Sequence, residues 1–238
     1  MDEMVSLEVA DGSSMQAYVA RPAAAAPRQG VLVLQEAFGV NAHIREVAQR
    51  LAGEGYLALA PELFHRTAPG FVGDYTDFGG AMPHMTAMTA EGQEQDVRAG
   101  YDWLRGQGVE WVAAVGFCLG GRVAVRAAAT VALAAAASFY GGSLLSLRER
   151  VEAIGAPLLL MWGDQDTHIP VAQRAAFAEL LRQAGKEFVE CTFSAAGHGF
   201  FCDQRASYHA RSARMAWELL REFLKTAALA ARGGKERL

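Results

Sequence analysis

An α/β fold, a doubly wound and mostly parallel sheet with helices on both faces, is what three features of this sequence predict. Short continuous apolar runs, such as Gly30 to Leu34 and Pro157 to Trp162, alternate along the chain with longer amphipathic stretches. Runs of that kind belong to strands buried on both faces, and their alternation with helices implies right-handed crossovers. The chain is also long enough: 238 residues, 52% of them hydrophobic, can bury one sizeable core. One domain is expected over residues 1–238, with 231–238 a charged, glycine-containing tail that frays.

Taken in order, Val5 to Val9 and Met15 to Ala20 flank Asp11, Gly12 and Ser13, which predicts an antiparallel hairpin at a sheet edge. Pro22 to Pro27 is a surface connection to the buried strand Gly30–Leu34. A helix follows from about Ala42 to Glu54, with Ile44, Val47, Ala48 and Leu51 on one face and Gly55 closing it. Tyr56 to Ala60 is the next strand. From Pro61 to about Thr89 three prolines, four glycines and scattered aromatics, methionines and histidines show no sustained period. A structureless excursion of that length in a compact domain points to a pocket wall or lid. Periodicity returns over Ala90 to Gln107, where Val97, Tyr101 and Leu104 share a helical face.

Past the strand Val112–Val115 and a helix from about Leu119 to Ala129, Ala134 to Tyr140 and Pro157 to Trp162 read as further strands. Pro170 suits the first turn of a helix running to about Ala184, and Gly185 ends it. Phe188 to Phe193 is the last strand, with Val189, Cys191 and Phe193 on one face, so Cys191 is expected in the core. A final helix is expected from about Ser207 to Ala230.

Between the central strand and its helix lies Gly116-Phe117-Cys118-Leu119-Gly120. A residue at such a strand-to-helix corner adopts a strained backbone, and glycines two before and two after relieve the crowding. Gly-x-Cys-x-Gly is the nucleophile elbow of the α/β-hydrolase fold with cysteine in the serine's place. A thiol there feels the positive end of the helix, which favours the thiolate, and the amide of Leu119 points to where an oxyanion would form. The bland alternative makes Cys118 a small buried hydrophobe and leaves the glycines to packing.

Composition narrows the partners. The net charge is only −4, with acids and bases interspersed, so neither nucleic acid nor an anionic membrane surface is an expected partner. Three cysteines make no disulfide framework. The opening MDEMVSLEVADGSS lacks a secretory pattern, and the alanine-rich Val123 to Ala137 is too short to span a bilayer, so the cytoplasm is the expected location.

Four chemically apt residues then converge on the carboxyl edge of the sheet, where ligands of such folds sit: Glu36, Cys118, Asp166 and His198, each after a different strand. His198, between Gly197 and Gly199, is the candidate base for the thiol, and Asp166 the acceptor that fixes its tautomer. Nucleophile, acid, histidine is the chain order expected on this fold. Asp164 is the rival for the acid. Glu36 could take the thiol proton itself, or could order its loop by bonding backbone, while Ala37 beside it would give the second oxyanion amide.

The sequence resembles the dienelactone hydrolases, also called carboxymethylenebutenolidases, from about Gly30 to Phe223. The likeness rests on Gln35-Glu36-Ala37-Phe38-Gly39, Ala60-Pro61-Glu62-Leu63, Gly116-Phe117-Cys118-Leu119-Gly120-Gly121, Trp162-Gly163-Asp164-Gln165-Asp166 and Gly197-His198-Gly199-Phe200. It implies that Cys118, Asp166 and His198 form a catalytic triad, that Glu36 tends the thiol, and that an ester or enol-lactone is cleaved through a thioester without metal or organic cofactor. Members that cleave dienelactone hold the substrate carboxylate with two arginines. Here the position four after His198 is Cys202, with Arg205 three further on, and Arg66 is the candidate for the other. Phe38 and Phe200, with Phe64, Phe71, Tyr75 and Met82, would suit an apolar acyl group or would be core. Cys202 is either a second reactive thiol or a half-buried bystander. A small-molecule ester or lactone is thus the expected partner, with the chain a monomer or homodimer. A thioesterase or other acyl hydrolase on the same scaffold, and a non-catalytic ligand-binding module, are the competing readings.

Overall fold

The computed structural model describes residues 2–23 and 26–233. Two positions inside the expected Pro22–Pro27 connection, and residues 234–238 of the expected tail, lie outside the described residues. One sheet of eight strands runs through the molecule. The hairpin β1 (Asp2–Glu8) and β2 (Ser14–Ala20) is antiparallel and edges the sheet as expected. Inward from it come β4 (Leu57–Pro61), β3 (Gln29–Leu34), β5 (Trp111–Phe117), β6 (Ala135–Phe139), β7 (Leu158–Gly163) and β8 (Phe188–Phe193), and from β4 to β8 every pairing is parallel.

The apolar runs are central strands for the reason the sequence suggests. Every residue of β4, β5, β6 and β7 is buried, so neither face meets water. Helices supply the cover. Helix α1 (Ala42–Gly53) buries Ile44, Val47, Ala48 and Leu51, and Asn41 starts it by accepting from the Ile44 amide at 3.2 Å. Each aliphatic side chain so buried contributes about 1.5–3 kcal/mol. Helix α6 (Ala210–Gly233) lies beside α1, where Arg50 stacks 3.9 Å over the Trp217 ring. Helices α3 (Ala90–Gly106) and α4 (Leu119–Ala128) form the other layer, and α5 (Val171–Gln183) follows β7. Because α6 continues to Gly233, positions 231–233 are helical rather than part of a frayed tail.

Three local readings change. The segment after Pro61 contains a helix, α2 (Phe78–Ala87), capped by Asp77 on the Gly80 amide. Two glycines, an internal Pro83 and a single buried residue, Ala81, leave it no periodic signature. A 3-10 segment, Leu144–Ala153, fills the connection before β7. Cys191 is half-buried and Val189 is 45% exposed, because β8 is the outer strand of the sheet. Among the described residues no helix is long and apolar enough to cross a membrane.

Backbone packs against backbone at the carboxyl end of β5. A Cβ on Gly116 would collide with the Gly120 carbonyl, and one on Gly120 with the carbonyls of Leu34 and Gln35. These neighbours are backbone and cannot rotate away. Gly116→Ala is therefore expected to destabilise by about 3 kcal/mol or more, the upper range for overpacking, seen as a lower urea midpoint. An unchanged midpoint would show that the corner can relax.

Candidate active site

Cys118 sits at the turn between β5 and α4 with φ 52° and ψ −112°, a left-handed backbone that a non-glycine residue adopts only under constraint. Its amide donates to the Phe139 carbonyl at 3.0 Å, and the Gly120 amide donates to the Gln35 carbonyl at 2.9 Å. The corner is thus tied to β6 on one side and to the loop after β3 on the other. That second tie holds the loop that carries Glu36 and Ala37 against the start of α4.

His198 follows β8. Its Nε2 stands 3.1 Å from Cys118 Sγ and its Nδ1 2.7 Å from Asp166 Oδ2. Asp166, after β7, is fixed through its other oxygen, which accepts from the amides of His168 at 2.8 Å and Ile169 at 3.2 Å. Gly199 has φ 76°, and a Cβ there would come within 2.6 Å of the Arg205 guanidinium, so the turn after the histidine requires glycine. Burial alone would lower the His198 pKa. Hydrogen bonds to Asp166 and Cys118, with their charges, outweigh it and push the imidazole up to about 10. Burial acts on Asp166 in the raising direction, and the bonds from His198 and the two amides win, holding its carboxyl below the usual range. Asp164 is half-exposed and pairs with Arg174 at 3.4 Å, away from the histidine. The structure thus brings together Cys118, His198 and Asp166, and leaves Asp164 aside.

Glu36 is fully buried and pairs with Arg205 Nη1 at 3.1 Å, while its Oε2 meets no partner among the described residues. No hydrogen bond joins it to Cys118; the thiol's partner is His198. Arg205 also lies 5.7 Å over the Phe38 ring and 5.6 Å over Tyr75. A cavity of about 410 Å³ opens above Cys118, with Phe38, Tyr75, Phe78 and Met85 on one side and Gly142, Ser143, His168 and Ile169 among its other walls. The irregular segment is thus a pocket wall, as expected.

The remaining candidates lie away from the pocket. Arg66 bonds Asp11 and Asp96 and lines a separate cavity of about 80 Å³, so it is not brought to the site. Phe200 is core, wedged 5.4 Å from Tyr140 and 5.1 Å from Phe193. Phe64 and Phe71 pack on each other and on His84, and Met82 is exposed. Cys202 is buried and donates to the Tyr75 hydroxyl at 3.2 Å, its thiol pushed up to about 11 by burial and by the Glu36 charge. That removes it as a ready nucleophile. It is also part of a group of metal-ligand residue types, with His43 and Asp203, whose ligand atoms lie within 4.8 Å of one another.

The site also contains residues that sequence reasoning missed. Tyr140 takes φ 40°, is fully buried with its hydroxyl unpartnered among the described residues, and sets its ring 5.1 Å from that of His198. No sequence signal marks it. Arg122 lines the pocket from α4, and its spacing of four residues from Cys118 on a helix was a usable signal.

The profile of the dienelactone hydrolase family matches residues 15–228. The chain belongs to that family. It is 37% identical over 230 residues to an Escherichia coli K12 protein named "Putative carboxymethylenebutenolidase", covering 90% of this chain and 83% of that one. A Synechocystis protein of the same name is 34% identical over 222 residues, covering 88% and 90%. Among solved structures, a "Putative Dienelactone Hydrolase" from Klebsiella pneumoniae superposes with a TM-score of 0.82 at 32% identity, covering 92% of this chain and 96% of that one. The fold is accordingly the α/β-hydrolase fold, and the family makes this chain a hydrolase of the ester and lactone class acting on a small molecule.

The geometry has a consequence for stability. A histidine whose folded pKa, about 10, lies above its unfolded value of about 6.5 contributes stability that is full below pH 6.5 and lost as pH rises through 10. Urea midpoints measured from pH 6.5 to 10.5 should fall in wild type and fall less in His198→Gln. Parallel curves would mean that the imidazole gains nothing from its partners.

Proposed function

We propose that this protein hydrolyses carboxylic esters or lactones with Cys118 as nucleophile, His198 as acid and base, and Asp166 as the residue that orients the histidine. One observation carries the reading: Sγ, imidazole and carboxylate form a continuous chain of 3.1 and 2.7 Å, mounted on a strained corner at the carboxyl edge of the sheet. A structural histidine has no need of that corner.

The chemistry follows from the positions. With His198 protonated and bonded to Sγ, the reactive form is a thiolate beside an imidazolium. The thiolate attacks the carbonyl carbon, a C–S bond forms, and the carbonyl electron pair moves onto oxygen, which the amides of Ala37 and Leu119 receive. Collapse breaks the C–O bond as His198 gives its Nε2 proton to the departing alkoxide or enolate. Water then attacks the thioester, neutral His198 takes its proton, and the acid leaves as Cys118 is regenerated. In a lactone both products remain one molecule. Glu36 holds Arg205 over Phe38 and Tyr75, and its second oxygen is buried with no partner among the described residues. Phe38 supplies apolar wall and Arg205 a cation for an anionic part of the substrate.

Cys118→Ala should lower kcat/KM for a small aryl ester by about 10⁴-fold or more, and Asp166→Asn by about 10³- to 10⁴-fold through the wrong tautomer. Iodoacetamide should abolish turnover with one modification, mapped to Cys118 by mass spectrometry. Continued ester turnover by Cys118→Ala would sink the assignment. A panel of lactone, aryl ester, thioester and peptide then separates the acyl classes.

A further inference from the structure

His43 is a buried imidazole with no hydrogen bond to either nitrogen among the described residues. It lies in the first turn of α1 and is 3% exposed; its Nε2 is enclosed without a partner, and its Nδ1 stands 4.0 Å from Asp203 Oδ1. A polar group enclosed in this way is costly unless something bonds it.

Two other donors stand with it. Cys202 Sγ, a carboxylate oxygen of Asp203 and a nitrogen of His43 all lie within 4.8 Å of one another. A zinc ion holds sulfur at about 2.3 Å and nitrogen or oxygen at about 2.0–2.2 Å, which sets tetrahedral donors about 3.3–3.6 Å apart. Asp203 supplies the movement that closes the difference: its side chain is half-exposed, whereas His43 and Cys202 are buried.

The surroundings suit a cation. A cavity of about 160 Å³ lined by His43, Asp203 and Glu46 gives the entry path, and Glu46, a charged neighbour of His43, is the carboxylate at hand for a fourth position. Arg50 and Arg214 line the cavity too, but Arg50 is engaged on the Trp217 ring at 3.9 Å, and two carboxylates with a thiolate outnumber the two guanidiniums. The sulfur is also prepared. The Tyr75 hydroxyl accepts from Cys202 Sγ at 3.2 Å and from Asn41 Nδ2 at 2.8 Å, so its own proton can turn toward the sulfur once the thiol has lost its proton.

We propose that His43, Cys202 and Asp203 form a zinc-binding site, a clip that fastens the loop carrying His198 and Arg205 to the start of α1. Thiolate, imidazole and carboxylate together select a borderline-soft divalent ion over calcium or magnesium, which take oxygen ligands. On binding, Cys202 gives its proton to solvent and a sulfur lone pair bonds the ion. The ion takes no part in the chemistry at Cys118, and the site does not depend on which residue is the nucleophile.

Cobalt(II) titrated into the Cys118→Ala protein tests it, because that variant removes the sulfur from the other cysteine, histidine and aspartate group. One cobalt per chain should bind with a thiolate-to-cobalt charge-transfer band, and zinc should displace it. The band should vanish in Cys118→Ala/Cys202→Ser. In Cys118→Ala/His43→Gln and Cys118→Ala/Asp203→Ala cobalt binding should weaken by at least the roughly 10- to 100-fold that changing a residue behind a ligand costs. Asp203 is exposed, so its variant reports on the site even where a change at the two buried positions unfolds the chain. No band in the Cys118→Ala protein overturns the site. So does a band that survives Cys202→Ser, which would assign it to Cys191, and so does cobalt binding that Asp203→Ala leaves unchanged, which would be adventitious.

Discussion

The steric contact between Gly116 and Gly120 is the constraint on which the site depends. Those two residues let β5, the start of α4 and the end of β3 approach at backbone distance. The approach is what holds Cys118 at φ 52°, because its amide is bonded to Phe139 and the Gly120 amide to Gln35. Strain of this kind costs of order 1–3 kcal/mol and persists only where the surroundings over-determine it. Here three strands supply the surroundings, and the eight-stranded sheet supplies the stability that offsets the cost.

From that corner outward, the chemistry is a matter of where charge is balanced and where it is not. His198 is balanced from both sides, and Asp166 is held by two amides besides the imidazole. Breaking such a set leaves a buried charge without its partner, a larger loss than the set gains by forming. Glu36 and Arg205 form a second balanced pair, buried on the glutamate side and open to the pocket on the arginine side. Arg122 breaks the pattern. It lines the same pocket with no carboxylate partner among the described residues, and Cys118 is the neighbour whose charge favours it.

Part of this was legible in the residues and part was not. Cys118, Asp166 and His198 stand beside glycines or turn residues at strand ends, so local chemistry and the alternation of elements located them. Arg66 and Phe200 were misplaced because proximity in sequence to site residues says nothing about direction. Arg66 turns to Asp11 and Asp96, and Phe200 turns into the core against Tyr140. Helix α2 escaped notice because glycines, a proline and solvent exposure erase the periodicity that a helix shows when it packs.

What the sequence by itself determined is the order of elements and the residues at the carboxyl ends of strands, since hydrophobic period and turn chemistry are local properties carried by neighbours in the chain. Tertiary structure alone decided which carboxylate serves His198, that Glu36 faces Arg205 and not the thiol, and that Arg122 reaches the pocket with no ion pair among the described residues. Those outcomes depend on residues as far apart as Glu36 and Arg205 meeting in space, and no local pattern encodes the distance or the charge they find there.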